Sequence, residues 1–126
     1  IDKIIETKEN RDLVVHTRSA LLQGLLVSKD EGLWRRANVD NCYIVNWLEL
    51  CCIKHNRSSI LDLCLTYVRS QSWVDGVVVG METLEQLDQN LSIFRNPLMK
   101  DNEIKDVVFS RPSLSENTLN PSHWRK

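Results

Sequence analysis

Residues 75–90 read Asp-Gly-Val-Val-Val-Gly-Met-Glu-Thr-Leu-Glu-Gln-Leu-Asp-Gln-Asn, and the fold turns on them. Val77, Val78 and Val79 follow one another without polar alternation, which predicts a strand over 74–79 buried on both faces, as in a parallel sheet. Gly80 closes it. Thr83 and Gln86 then stand at capping-box spacing and predict a helix start, with Leu84, Leu87, Leu91 and Phe94 on one face and Pro97 as the stop. A strand ending in glycine beside a helix start can hold an anion, because the first helical N–H groups are free and the dipole favours negative charge. The same arrangement is equally a tight turn followed by a cap. The remainder of the chain has to separate the two.

Upstream, Leu13-Val14-Val15-His16-Thr17 is a second, β-branched strand candidate, preceded by a helical segment at 1–9 and a break at Asn10-Arg11-Asp12. Residues 18–40 contain Gly24 and Gly32 and read as a long loop with one helical turn near Trp34. From Cys42 onward Ile44, Val45, Leu48, Cys51 and Cys52 take helical spacing. A further helix, capped by Ser58 or Ser59, places Ile60, Cys64, Leu65 and Val68 on one face. Another short helix is predicted near Glu103 to Phe109. Residues 110–126 read as an extended tail, dividing the chain into 1–109 and 110–126.

This is an incomplete α/β pattern, since two parallel strands neither cover each other's edges nor close a sheet. Ile1-Asp2-Lys3 opens directly into a helix-like segment, so the expectation is a fragment, or a chain that needs a partner.

The 126 residues are 42% hydrophobic and 26% charged, enough for one domain, and the formal net charge of −1 gives no electrostatic case for nucleic acid or an anionic membrane. No apolar run approaches the roughly 20 residues that span a bilayer. Cys42, Cys51, Cys52 and Cys64 form no CxxC pair and have no ligand-spaced histidine, so no metal site is predicted. Unpatterned cysteines point to a reducing cytoplasm.

Three stretches in order carry a resemblance: Arg18-Ser19-Ala20-Leu21-Leu22-Gln23-Gly24-Leu25-Leu26 after the first strand, residues 58–71, and Gly80 to Asn90 after the second. Together they resemble the C-terminal part of an aldo-keto reductase, over about residues 12–95. The resemblance implies a (β/α)8 barrel that binds NAD or NADP at the C-terminal ends of its strands. Residues 13–17 would be the seventh strand, 75–79 the eighth, and 42–70 the helices between them.

By position in that family, Gly80, Met81, Glu82, Thr83, Gln86, Gln89 and Asn90 would line the corner that holds the adenosine ribose and its phosphate. Arg18, Ser19, Ala20, Leu21 and Gln23 would follow the seventh strand beside the nicotinamide. There the family commonly has an aromatic residue and Ser-Pro-Leu, whereas this chain has Arg18 and Ser19-Ala20-Leu21; a planar guanidinium can replace the stacking ring. Many relatives place a basic residue two positions after the glycine, against the phosphate that distinguishes NADP. Glu82 stands there, which favours NAD.

The resemblance also implies an absence. The family's Tyr acid, its Lys, Asp and His belong to earlier strands of the barrel. Tyr43 and Tyr67 fall in helical patterns, and His16, His55 and His123 read as structural or exposed, so no catalytic residue is expected and the chain alone is expected to be inert. The leading reading is the cofactor side of an oxidoreductase that transfers hydride between a nicotinamide and a carbonyl or alcohol, possibly a sugar, completed by the N-terminal part of the barrel or another chain. A truncated, non-catalytic relative acting as a binding or interaction protein, and a small helical protein whose glycine turns are only turns, are the competing readings.

Overall fold

Two short strands pair in parallel, β1 (His16–Thr17) and β2 (Gly76–Val77), with His16 opposite Gly76 and Thr17 opposite Val77. The computed structural model describes residues 1–125. Among these, seven α-helices surround the pair: α1 (Asp2–Asn10), α2 (Glu31–Arg36), α3 (Asn41–Lys54), α4 (Ile60–Arg69), α5 (Leu84–Phe94), α6 (Asp101–Ser110) and α7 (Glu116–Leu119). Two 3₁₀ turns, Leu25–Val27 and Pro121–His123, complete the order.

The parallel pairing is as the valine run predicts, but the strands are shorter than 13–17 and 74–79. Val15 O accepts from the Asp75 and Gly76 N–H groups, and the Val78 N–H donates to Thr17 O; past these bonds the chains part. A Cβ at Gly76 would lie 2.8 Å from the His16 ring, so a larger residue there would require the exposed imidazole to move. Burial of the valine run on both faces is not met. Val78 is 60% exposed, since no layer covers that side among the described residues.

Local capping accounts for most helix starts. Asp30 accepts from Gly32 N–H at 2.7 Å, Asp40 from Cys42 N–H at 2.9 Å, and Ser59 from Asp62 N–H at 3.1 Å. The core lies between the 3₁₀ turn at Leu25, α2, α3, α4 and α6, with Leu25, Trp34, Ile44, Leu48, Leu63 and Val107 buried. Residues 18–40 are therefore more ordered than a long loop: Leu25 enters the core, and the Trp34 Nε1–H donates to Ser28 O at 2.9 Å.

Two further expectations are corrected. α5 buries Asn90 and Ile93, while Leu84, Leu91 and Phe94 are exposed. Arg69 sets this rotation, donating to Ile93 O and Phe94 O and lying 4.6 Å over the Phe94 ring. The tail is not extended throughout. Ser115 caps α7, Trp124 Nε1–H donates to Thr118 O at 3.0 Å, and Arg125 N–H donates to Arg36 O, folding the segment back on the core. No described helix is long and apolar enough to cross a membrane.

Candidate functional site

Because β1 and β2 are parallel, the segments leaving them emerge at the same end of the sheet. Between these segments lies a groove of about 610 Å³. Arg18, Ser19, Ala20, Leu21 and Gln23 form one wall, Gly80, Met81 and Glu82 the other, and Gln86 and Leu65 close it. A second space of about 420 Å³ shares Leu21, Val79, Gly80 and Gln86 with it and extends to Gln89 and Asn90. Both volumes fall in the range of small-molecule sites, about 300–1,000 Å³.

The structure thus brings together every residue the sequence placed at the site except Thr83. Thr83 faces its own helix, its hydroxyl accepting from Gln86 N–H at 3.2 Å. The other half of the capping box is displaced by one residue: Gln86 Oε1 accepts from the Glu82 N–H, not from the cap residue, at 2.7 Å. The Glu85 carboxyl is held below its usual range by its own N–H and by the Thr83 hydroxyl. Free N–H groups from Thr83 onward are therefore only partly realised, because the chain's own side chains already occupy part of the α5 N-terminus.

Two glycines behave differently in the walls. Gly24 has φ +81°, the left-handed conformation that glycine tolerates. Ser19, Leu22 and Gln23 share that region at +62°, +49° and +56°, which for residues with a Cβ costs of the order of 1 kcal/mol each. The loop is pinned in this shape by Leu25, buried in the core, and by the Leu26 N–H donating to Leu21 O. Gly80 is the opposite case. Its φ lies outside the left-handed region, and a Cβ there would meet nothing within 4 Å. Neither backbone nor neighbour requires glycine at 80; what its missing side chain leaves is open groove.

The electrostatics are one-sided. Arg18 is the one cation among the described lining residues, and no Lys or Arg occurs over 70–94. Glu82 is exposed at the opposite wall.

Sequence reasoning missed Ser59, Ile60 and Leu61, which line the smaller space at the α4 N-terminus. The signal was present in the topology, since a helix joining parallel strands runs antiparallel to them and starts at the ends where they finish. Asp62 holds this corner. Buried, it accepts from Ser58 N–H at 2.9 Å, Thr66 Oγ1 at 3.0 Å and Asn96 Nδ2 at 3.2 Å.

The histidines lie elsewhere. His16 covers Gly76, buried His55 bonds Asp106 at 2.9 Å through Nε2, and His123 bonds Asn117 at 3.0 Å. Tyr43 is exposed on α3 and Tyr67 packs against the core.

The model of the aldo/keto reductase family matches residues 2–108. The chain belongs to the aldo/keto reductase family. No curated protein and no solved structure gives a match to it. Aldo/keto reductases generally use NAD(P)H and act on small-molecule carbonyl compounds in a barrel fold. This member's described residues form a small α/β unit with two parallel strands.

Proposed function

We propose that this chain is the C-terminal, cofactor-side portion of a (β/α)8 oxidoreductase, with β1 and β2 as its seventh and eighth strands. The groove between their loops would hold the nicotinamide dinucleotide. Gly80 is the observation that carries the reading: a residue free of any internal demand for glycine faces the groove where a ligand's approach would make that demand. Family membership, the parallel register and the left-handed loop at Ser19 to Gly24 support it.

The bound dinucleotide would supply the hydride exchanged with a carbonyl or alcohol. This chain's part is to bind and orient. Arg18 offers a planar guanidinium for stacking, and Gln23, Gln86, Gln89 and Asn90 offer amides to the ribose and base edges, beside Ser19, Ala20, Leu21 and Met81. The acid–base residues come from the remainder of the barrel, since neither tyrosine borders the groove. Further strands would join at the open outer edges of β1 and β2, and 110–125 would be the C-terminal segment that follows the barrel portion. Four free thiols suit a reducing, cytoplasmic setting.

Gly80→Leu tests the reading. With no neighbour within 4 Å and no left-handed φ, the variant should keep its stability within about 0.5 kcal/mol. Its NAD affinity, measured by calorimetric titration, should fall about tenfold or more, or about 1.4 kcal/mol. Unchanged affinity for NAD and NADP would place the cofactor elsewhere.

A further inference from the structure

Asn90 is the one buried polar residue of α5, at 7% exposure. Among the described residues no hydrogen bond reaches its side chain, yet neither amide atom is sealed from solvent. Its body is therefore packed while its amide opens onto the smaller space, which Asn90 lines together with Gln86 and Gln89. Buried amides are ordinarily paired within the chain, so one turned unpaired into a groove is placed to meet a ligand.

That placement depends on how α5 is turned about its axis. Leu84, Leu87, Leu91 and Phe94 form the apolar stripe, whereas Leu87, Asn90 and Ile93 face inward. At about 100° per residue, the two directions differ by roughly 80°. Hydrophobic periodicity therefore does not select the face that α5 presents to α4.

Arg69, the last residue of α4, supplies the tie. Its Nη1 donates to Ile93 O at 3.0 Å and its Nη2 to Phe94 O at 2.8 Å, with the guanidinium 4.6 Å from the centroid of the Phe94 ring. These are carbonyls of the final turn, which have no partner within a helix. No basic residue occurs within Leu84–Phe94, so the cation that complements this helix end comes from α4. Arg69 forms no salt bridge among the described residues. Its planar fork grips two successive carbonyls, which fixes an angle about the helix axis as well as a distance. Asn90 stands about one turn before Phe94 on the same helix, so it follows that angle. A second tie, Asn96 Nδ2 donating to Asp62 at 3.2 Å, lies beyond the helix end and leaves its rotation free.

We propose that Arg69 is a positioning residue for the dinucleotide: by gripping the last carbonyls of α5, it sets the rotation that turns the Asn90 amide into the groove. This rests on the reading of the groove given above, and adds to it a residue that does not itself line the groove.

Calorimetric titration of the full chain with NAD tests this, in a double-mutant cycle of Arg69→Met and Asn90→Ala. Arg69→Met keeps an aliphatic stem and removes the fork, and should weaken binding about fivefold in the parent background. In the Asn90→Ala background the same change should cost less than about twofold, because no amide is left to position. Arg69→Lys keeps the charge without the fork and should fall between parent and Arg69→Met. A readout without ligand is the Asn90 side-chain amide resonance of the ¹⁵N-labelled chain, which should shift in both Arg69 variants. Equal losses of affinity in the two backgrounds would leave Arg69 a general stabiliser and overturn the proposal. So would an Asn90 resonance that stays in place. Full affinity in Arg69→Met beside weakened binding in Gly80→Leu would overturn this proposal alone, and a parent chain that does not bind NAD would overturn the groove reading with it.

Discussion

Asp62→Ala should lower unfolding stability by about 3 kcal/mol, one of the largest effects of any single change in this chain. Burial is the strongest influence on this carboxyl and pushes its pKa up. Hydrogen bonds from the Ser58 N–H, Asn96, Thr66 and the Ser58 hydroxyl together outweigh it and hold the pKa below the ordinary 3.8. Removing the carboxylate leaves the fully buried Thr66 hydroxyl without its partner, at about 1–3 kcal/mol before relaxation, and loses the bonds from half-buried Asn96 and exposed Ser58 as well. The sign of the pH dependence follows. A folded-state pKa below the unfolded value gives stability that is fully present above about 3.8 and is lost as pH falls through the lowered value. Urea titrations of the parent and of Asp62→Asn from pH 7 to pH 2.5 should therefore converge at the acid end. Equal stability at neutral pH, or a constant difference across the range, would remove Asp62 from this role. Because the Asp62 carboxylate holds Ser58, directly before Ser59 to Leu61 at the smaller space, its loss should also weaken dinucleotide binding.

Glu82→Arg, made in the complete enzyme, should move the ratio of NAD to NADP dissociation constants about 10- to 100-fold towards NADP. Two like charges at about 4 Å repel by roughly 4 kcal/mol at an effective dielectric near 20, and salt screening reduces this at an exposed site. A carboxylate also accepts hydrogen bonds from an unphosphorylated ribose diol. The structure places Glu82 on the groove wall with its N–H taken by Gln86, and Glu85 one turn away is held ionised by its own N–H and Thr83. Glu82 is the acid on this wall, and no basic residue occurs over 70–94 to offset it. The comparison needs dissociation constants for both cofactors in both proteins. A ratio that stays within a factor of two would show that Glu82 does not read the phosphate.

The features legible in the sequence were those set by local chemistry. Thr83 and Ser59 marked helix starts because their hydroxyls accept from the backbone N–H three residues on, and the unbroken valines marked a parallel pair. The stretches at 18–26 and 80–90 supply most of the groove's walls, whereas Ser59 to Leu61 and Leu65 were not assigned to it from sequence. The failures came from tertiary packing. Leu84, Leu91 and Phe94 formed a credible apolar face, yet Arg69 bonding the last carbonyls of α5 turns Asn90 and Ile93 inward instead. The tail from 110 carried turn residues but no periodicity, and only Trp124 packing on the core reveals why it folds back. The left-handed run at Ser19, Leu22 and Gln23 was invisible because none of these residues favours that backbone.

The most direct test of the central claim is amide chemical-shift mapping of the ¹⁵N-labelled chain during titration with NAD. The groove walls come from this chain alone, so cofactor contacts should register without the rest of a barrel. The expected result is saturable shifts confined to residues 18–24, 59–61 and 80–90. Shifts centred on α3 or α6, or none at millimolar NAD and NADP, would contradict the assignment of this groove to the dinucleotide.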